Sequence, residues 1–338
     1  MPRSRSLLAL TAALAAACQS PHPVVAAAVA AVDPNRIMAH VEALCADGPR
    51  PGDDPVATER TLVYLENELR SYGYEPVRKP FGAWMMVTEK VEGGYRGHSE
   101  QVVAENLIAV HRGVDHPEQI VELGTHYDTV PWSPGADDNT SGVAAALECA
   151  RAIAAVKTGK TIRIVFFALE ENGKLGSREY VKQLAEDDRP EGMLSMDAIG
   201  FTNKAEGSQE SPVRIPFFFW PPTVGDFLVI AGNWSSTWLA SLHEGCIAMY
   251  VPELPYFSVK RIAHWFDDSS RGDHYEYWQA GIPSVALVDM PYSRGPHYHA
   301  ATDTPDTLDP EFLWRNTQAI TATMLEWADV RGANPEPR

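Results

Sequence analysis

The sequence predicts an α/β fold with a mostly parallel central sheet of about eight strands and helices on both faces. Short apolar runs rich in β-branched and aromatic residues alternate along the chain with segments whose apolar positions recur at helical spacing. Several of these apolar runs end directly in acidic or histidine residues, as expected where strand ends carry a functional site. The chain has 338 residues, of which 45% are hydrophobic, and this suffices for one large core. We therefore expect a single domain from residue 33 to residue 338.

The first part of the domain is predicted to contain two helices followed by strands. The segments Asp33 to Cys45 and Asp54 to Tyr72 both begin at an aspartate, which caps helices well, and the second ends before Gly73. Runs of β-forming residues then predict four strands, near Glu75 to Lys79, Met85 to Val91, Glu105 to His111 and Gln119 to Gly124.

Strands and helices alternate in the remainder of the chain. The predicted helices are Thr140 to Ala155, Leu175 to Leu184, Asn233 to Gly245 and Pro310 to Asp329, and the predicted strands are Thr161 to Leu169, Gly192 to Ile199 and Ile282 to Val288. Residues 200–235 contain several prolines and the aromatic run Phe217 to Trp220. We interpret them as a long loop excursion whose aromatic residues wall a pocket, pack in the core or form a dimer contact.

The first 17 residues have the features of a secretory signal peptide. Arg3 and Arg5 precede a short apolar segment that is followed by small residues. Cys18 comes directly after three alanines, which resembles a bacterial lipoprotein cleavage site, and cleavage after a later alanine would fit nearly as well. Residues 18–32 are rich in Ala, Val and Pro and are interpreted as a tether. The protein is therefore expected to be exported, as a periplasmic protein, a cell-envelope lipoprotein or a secreted protein, with a lipid on Cys18 as its only membrane contact.

Residue types that bind metals are concentrated where predicted strands end. They are His126, Asp128, Asp137 and Asp138 after one strand, Glu170 and Glu171 after the next, Asp197 in an apolar stretch and His299 in a late polar loop. Adjacent carboxylates at the end of a buried strand repel each other, so a nearby cation would stabilise them. Imidazole nitrogens and carboxylate oxygens are ligands that zinc accepts. Each cluster alone would also fit helix caps or solvated polar residues, and only their combination indicates a metal site.

In combination the clusters lie in five segments that resemble one family. The segments are HYDT (126–129), GADDNTSG (135–142), EENGKLGS (170–177), MDAIG (196–200) and YHAATDTPDTLD (298–309). In this order they resemble the exported di-zinc aminopeptidases, the metallopeptidase family also called clan MH. That family includes glutaminyl cyclases and the ectodomains of glutamate carboxypeptidase and the transferrin receptor. The resemblance runs from about Asp33 to the end of the chain and implies the phosphorylase/aminopeptidase-like fold of zinc exopeptidases.

The resemblance also implies a role for individual residues. Two zinc ions would be bound by five side chains, with His126, Asp138 and Asp197 on the first ion and Asp138, Glu171 and His299 on the second, so that Asp138 bridges them. Glu170 would be the general base on the metal-bound water, and Asp128 would fix the tautomer of His126. The peptide bond between Asp138 and Asn139 would be cis.

The chemistry of such a centre is consistent with peptide hydrolysis. Two metal ions about 3.5–4 Å apart can share a hydroxide, polarise the scissile carbonyl and hold a free amine. Tyr298, next to His299, could donate a hydrogen bond to the tetrahedral oxyanion, or it could simply pack. Cobalt or manganese could substitute for zinc, because both accept mixed oxygen and nitrogen ligands.

The leading functional hypothesis is a zinc-dependent peptidase that removes residues from peptides with a free amino terminus. Every implied ligand position and the general-base position are filled, which favours an enzyme. The alternatives are a glutaminyl cyclase, a carboxypeptidase or dipeptidase on the same fold, and a non-catalytic surface protein that binds a partner through residues 200–235. Arg294 could meet a substrate carboxylate or form a surface salt bridge. The formal net charge of −17 argues against nucleic acid as a partner.

The sequence departs from the family pattern on the substrate side of the expected site. Where relatives have Ser-Asp-His before the last strand, this chain has Gly272, Asp273 and His274. The implied metal ligands are unaffected by this change. We therefore expect the departure to alter substrate specificity rather than metal binding.

Overall fold

The computed structural model describes residues 20–91, 94–211, 214 and 220–333. The predicted signal peptide, Cys18 and residues 217–219 of the aromatic run lie outside the described residues.

The prediction of a tether over residues 18–32 is wrong for its described part. Pro23–Ala30 forms a helix, α1, whose Val25, Ala28 and Val29 are buried. Its carboxyl end is held by the closing helix of the chain, because Trp314 Nε1 donates to the Val32 carbonyl and Gln318 donates to the Val29 carbonyl. The apolar composition that suggested a tether therefore reflects burial in the core.

The next two helices begin where the aspartate caps predict. Helix α2 spans Pro34–Cys45 and α3 spans Pro55–Ser71. The carboxylate of Asp33 accepts a hydrogen bond from the Asn35 amide, and that of Asp54 accepts from the amides of Val56 and Ala57.

Ten strands form two sheets in the part of the chain that the structure describes. They are β1 (Val77–Val91), β2 (Gly94–His111), β3 (His116–His126), β4 (Val156–Thr158), β5 (Lys160–Phe167), β6 (Gly192–Met196), β7 (Leu228–Gly232), β8 (Tyr256–Val259), β9 (Ser284–Val288) and β10 (Val330–Ala333). The main sheet has eight strands in the order β1-β2-β5-β3-β6-β9-β7-β8, and β4 pairs with β10.

The predicted fold class is confirmed. Strands β5, β3, β6 and β9 are parallel neighbours at the centre of the sheet, while the long β1–β2 hairpin adds antiparallel pairing on one side. Strand β7 pairs antiparallel with β9 and parallel with β8 on the other side.

Helices cover both faces of the sheet. The remaining helices are α4 (Gly142–Ala154), α5 (Leu175–Gln183), α6 (Thr237–Tyr250), α7 (His274–Gln279), α8 (Pro291–Arg294) and α9 (Pro310–Trp327). Helices α4, α6 and α9 contribute to the large core on one face. On the opposite face Tyr180 of α5 and Tyr277 of α7 pack on Phe167 of β5.

The excursion at residues 200–235 ends in a core strand that the sequence analysis missed. Leu228 and Ile230 of β7 are fully buried, and β7 joins β9 to β8. Arg294 is also buried and does not form the surface salt bridge considered from the sequence. Its Nε donates to Gln209 Oε1 at 2.9 Å and its Nη2 donates to the Phe227 carbonyl at 2.8 Å, so it holds this excursion against α8.

Among the described residues no single helix is long and apolar enough to cross a membrane. Helices α1 and α2 reach that length and composition only as a pair, which is bent by 50°.

Candidate metal centre

The carboxyl ends of three adjacent parallel strands bring the predicted residues together. His126 of β3 lies opposite Phe167 of β5, and its neighbour Thr125 lies opposite Met196 of β6. The chain leaves the sheet at the same level in all three strands. Glu170, Glu171 and Asp197 therefore meet His126 at one edge of the sheet.

Asp138 reaches the same point from the loop between β3 and α4. Gly135 has a left-handed conformation with φ of 63°, and a Cβ there would lie 2.4 Å from the Asp138 carbonyl oxygen. The peptide bond between Asp138 and Asn139 is cis, as the resemblance implies. The Asn139 amide group bonds to Thr125 Oγ1 and to the Met196 carbonyl, which fixes the loop to β3 and β6.

The five predicted metal-binding residues form two groups that share Asp138. In the first group His126 Nε2 lies 3.4 Å from Asp138 Oδ1 and 3.5 Å from Asp197 Oδ1. In the second group His299 Nε2 lies 3.2 Å from Asp138 Oδ2 and 3.1 Å from Glu171 Oε2. Within each group one donor atom per residue lies within 4.8 Å of the others, so each group could hold a metal ion.

The donor atoms suit a divalent cation. Among the described residues, His126 Nε2 and Glu171 Oε1 are buried polar atoms without a hydrogen-bond partner. Such atoms are costly in a folded protein unless a ligand satisfies them. The set of imidazole nitrogens and carboxylate oxygens matches the preferences of zinc.

The side chains of the second group change one another's pKa values. Burial raises the pKa of Glu171 to about 7, and the charge of Asp138 adds to this rise while His299 opposes it. Burial alone would lower the pKa of His299, but the contacts with Asp138 and Glu171 raise it to about 10. A cation between these carboxylates would therefore relieve their mutual repulsion.

Glu170 lies beside both groups without belonging to either. Its side chain is 9% exposed, and burial raises its pKa well above the ordinary value, with nearby Asp197 and Asp273 adding to the rise and His126 opposing it. Asp128 fixes the position of this segment, because its Oδ1 accepts the Glu170 amide at 3.1 Å and its Oδ2 accepts the Glu171 amide at 3.2 Å.

The contact between Asp128 and His126 differs in detail from the expected one. The Nδ1 atom of His126 lies 3.1 Å from the backbone carbonyl of Asp128 and 3.6 Å from its Oδ1. The backbone carbonyl can therefore accept the Nδ1 proton and leave Nε2 to face the carboxylates.

Tyr298 and Trp132 contact His299 from two sides. The ring of Tyr298 stacks on the imidazole with centroids 3.9 Å apart. Trp132 is 62% exposed, yet its Nε1 donates to the His299 carbonyl at 2.8 Å. Sequence analysis missed Trp132, since an exposed tryptophan in a loop carries no pattern that predicts a backbone contact 167 residues away.

Asp303 and Arg50 also support the centre and were not singled out from the sequence. The carboxylate of Asp303 accepts hydrogen bonds from the amides of Asp137 and Asp138. The buried guanidinium of Arg50 donates to the Pro134 carbonyl and to Thr140 Oγ1, on either side of the same loop. Asp303 could have been suspected only because it lies in the family-like segment of residues 298–309, and Arg50 lies in none of the five segments.

The backbone is strained next to several of these side chains. Leu169, Ala198 and His299 have φ values of 56°, 55° and 53°, which are uncommon outside glycine. Leu169 precedes Glu170, and Ala198 follows Asp197. Residues held in this conformation concentrate at functional sites, which agrees with a site at this edge of the sheet.

A largely apolar cavity of about 140 Å³ opens beside the two groups. Its walls come from the edge of the sheet, where Val229 of β7, Phe257 of β8 and Val288 of β9 face inward. Glu170, His299 and Tyr298 lie on the side of the cavity next to the metal groups. The cavity therefore has an apolar wall on one side and the polar residues of the metal groups on the other.

Two potential cation sites that share one carboxylate, at the carboxyl edge of this sheet, define a metal-dependent hydrolase. The profile of Peptidase family M28 matches residues 106–216 and 246–324. The chain belongs to this family and is a metallopeptidase.

Individual relatives agree with this assignment. The chain is 30% identical to the uncharacterized protein YfbL of Escherichia coli strain K12, over 75% of this chain and 83% of YfbL. It is 42% identical to aminopeptidase YwaD of Bacillus subtilis strain 168, over 66% of this chain and 44% of YwaD, so it spans less than half of that relative. An aminopeptidase from Aneurinibacillus sp. strain AM-1 has the same fold, with a TM-score of 0.68, 18% identity and coverage of 92% of this chain and 97% of that one.

Proposed function

We propose that the protein is a di-zinc aminopeptidase that releases apolar residues from the free amino terminus of peptides. The observation that carries this proposal is the pair of donor groups joined by Asp138, with Glu170 beside them at the end of an apolar cavity. His126, Asp138 and Asp197 would hold one ion, and Asp138, Glu171 and His299 the other. Cobalt or manganese could replace zinc in the same ligands.

The side chains around the centre have distinct parts in the proposed reaction. Bound zinc would polarise the scissile carbonyl and make the attacking water more acidic. Glu170 would accept a proton from that water and return it to the leaving amine, a role that its raised pKa favours. Tyr298 would donate a hydrogen bond to the carbonyl oxygen as negative charge develops there. Asp128 would hold the backbone of Glu170 and Glu171 in place through its two hydrogen bonds.

The metal groups support recognition of a free amino group. Asp138, Glu170, Glu171 and Asp197 all line the cavity. With zinc bound, the three ligand carboxylates would be neutralised, so a free amine would be recognised through its lone pair by a zinc ion, which an acetylated amino terminus could not offer. The apolar wall formed by Val229, Phe257 and Val288 supports a first residue with an apolar side chain.

Two observations favour this function over the alternatives. A glutaminyl cyclase needs a single zinc ion, whereas two complete donor groups are available here. A non-catalytic binding protein would have no need for Glu170, which is buried beside both groups and belongs to neither. The carboxypeptidase and dipeptidase alternatives depend on a cation for the substrate carboxylate.

We also propose that the protein is exported, because residues 1–17 have signal-peptide features and Cys18 follows three alanines. The test is mass spectrometry of the mature amino terminus after expression in a bacterial host. A diacylglyceryl group on Cys18 would support a lipoprotein. An unprocessed Met1 in the membrane-free fraction would contradict export.

The function is tested with the zinc-reconstituted mature chain and a panel of peptides, each with a free or an acetylated amino terminus. Products are read by mass spectrometry, and bound zinc is measured per chain. Loss of one residue from the free peptides alone, with two zinc ions per chain, is the expected result. Loss of ammonia from peptides that begin with Gln would indicate a cyclase, and loss of residues from the carboxyl end of the acetylated set would indicate a carboxypeptidase.

A further inference from the structure

Arg271 is the only arginine or lysine among the described residues that line the cavity. The charged residues around it are mainly acidic, including Asp268 and Glu210 as well as the carboxylates of the metal groups. Arg271 is paired with Asp268, but its side chain is 53% exposed, so the guanidinium can meet a second anion. It would attract an anionic group, so its position marks where negative charge on a substrate can be bound.

The guanidinium of Arg271 is held in a defined orientation. Its Nε donates to Asp268 Oδ1 at 2.9 Å, and its Cζ lies 4.9 Å from the centre of the Tyr292 ring. Asp268 is bonded through Nε, and the two Nη atoms of a guanidinium carry further N–H groups that can pair with a carboxylate.

Two tyrosines connect Arg271 with the metal-binding end of the cavity. The guanidinium lies over the Tyr292 ring, that ring packs against Tyr298 with centroids 6.1 Å apart, and Tyr298 stacks on His299. The carbonyl carbons of consecutive residues are about 3–4 Å apart. A substrate that extends from the metal-binding end along these tyrosines would bring the carboxyl group of its next residue towards the guanidinium.

We propose that Arg271 determines specificity by binding a carboxylate on the residue that follows the cleaved bond, so that the enzyme prefers dipeptides with a free carboxyl terminus. This inference rests on the proposed aminopeptidase function. In a dipeptide the amine would lie at the metal groups and the carboxylate would face Arg271, so the two ends of the substrate match the two ends of the site. An acidic side chain at the second position would offer the same chemical group.

Arg294, the residue considered from the sequence for this role, cannot perform it. It is 4% exposed, and its guanidinium donates to Gln209 and to the carbonyls of Phe201 and Phe227. Arg271, in contrast, is about half exposed and lines the cavity.

The test compares leucine release from Leu-Leu and from its carboxyl-terminal amide by the zinc-loaded mature protein. A charge-assisted pair at a half-exposed site predicts kcat/KM about tenfold higher for the free acid. Arg271→Ala should abolish this preference, so that kcat/KM for Leu-Leu falls to about the value for its amide. Arg271→Lys keeps the charge without the fork and should retain part of the preference. Arg261→Ala, which removes an exposed guanidinium stacked on Trp234, is the matched control and should retain all of it.

Further substrates identify the source of the carboxylate. A preference for Leu-Asp-amide over Leu-Asn-amide that depends on Arg271 would show that an acidic side chain is also bound. An unchanged ratio between acid and amide in Arg271→Ala would overturn the proposal. So would an equal loss on both substrates, since that indicates a structural role for the contact with Asp268.

Failure of the aminopeptidase function would be seen separately, as no hydrolysis of any peptide by the wild-type protein. Calorimetric titration with the same peptides would then still test Arg271. A Kd for Leu-Leu about tenfold lower than for its amide is expected in the wild type and not in Arg271→Ala. Equal Kd values in the wild type would reject the inference.

Discussion

The adjacent residues Glu170 and Glu171 should respond in opposite ways to the same substitution. Glu171 belongs to a donor group with Asp138 and His299, whereas Glu170 belongs to neither group. Glu170→Gln keeps the size of the side chain and removes its ability to accept a proton. We expect this variant to bind two zinc ions per chain and to lose activity through kcat.

The size of the loss follows from the proposed role of Glu170. General-base catalysis contributes about 100-fold to 10,000-fold, which corresponds to about 3–5 kcal/mol of transition-state stabilisation. Glu171→Gln removes a proposed ligand. Loss of a residue that only orients a ligand already costs about 10–100-fold in metal affinity, so we expect a larger loss for the ion bound with His299.

The assay measures zinc per chain after dialysis, zinc affinity by chelator competition, and kcat and KM for an apolar dipeptide. Retention of activity by Glu170→Gln within about threefold would refute its assignment as the base. If Glu170→Gln released an ion while Glu171→Gln kept both, the two roles would be reversed. Folding of each variant is checked by its thermal unfolding in the presence of excess zinc.

Three other perturbations have defined outcomes. Trp132→Phe keeps an aromatic ring but removes the hydrogen bond to the His299 carbonyl. Zinc affinity, measured by chelator competition, should therefore fall by about tenfold. Unchanged affinity would show that Trp132 does not position His299. Burial raises the pKa of Asp289 to about 7. Between about pH 4 and pH 7 the folded state therefore keeps a proton that the unfolded state has released. The free energy of unfolding falls as pH rises through that window. Asp289→Asn should weaken this pH dependence and stabilise the protein at pH 8 in urea unfolding, and an unchanged pH profile would contradict the shifted pKa. Val25→Ala should lower the unfolding free energy by about 1–2 kcal/mol because Val25 is fully buried, whereas Val56→Ala, at a position 72% exposed, should change it by less than about 0.5 kcal/mol.

The sequence was sufficient to predict the centre of the fold because the strands there are buried on both sides. Runs such as that of β5 are apolar throughout, and the charged residues that follow mark their carboxyl ends. Strand β7 was missed because its five residues lie close to a proline-rich and aromatic segment, where a short apolar run has no periodicity that separates strand from loop. Helix α1 was missed because alanine and valine suit both a tether and a buried helix.

At the site, the residues that bind metals could be predicted from the sequence, whereas the residues that hold the backbone in place could not. His126 and Asp138 could be identified because their residue types and spacing indicate metal binding. Asp303 and Trp132 act by accepting from or donating to main-chain groups far away in sequence. Any polar side chain in a suitable place could make such contacts, so no residue pattern predicts them.

The buried position of α1 limits how far the protein could stand from a membrane. The His22 amide donates to the Tyr250 hydroxyl, so the chain is already attached to the body of the protein at that residue. Only four residue-to-residue steps separate Cys18 from His22, and they span at most about 14 Å. A lipid on Cys18 would therefore keep the catalytic domain close to the headgroup layer. The chain without Arg3 and Arg5 has a formal net charge of −17 − 2 = −19, which anionic lipids would repel.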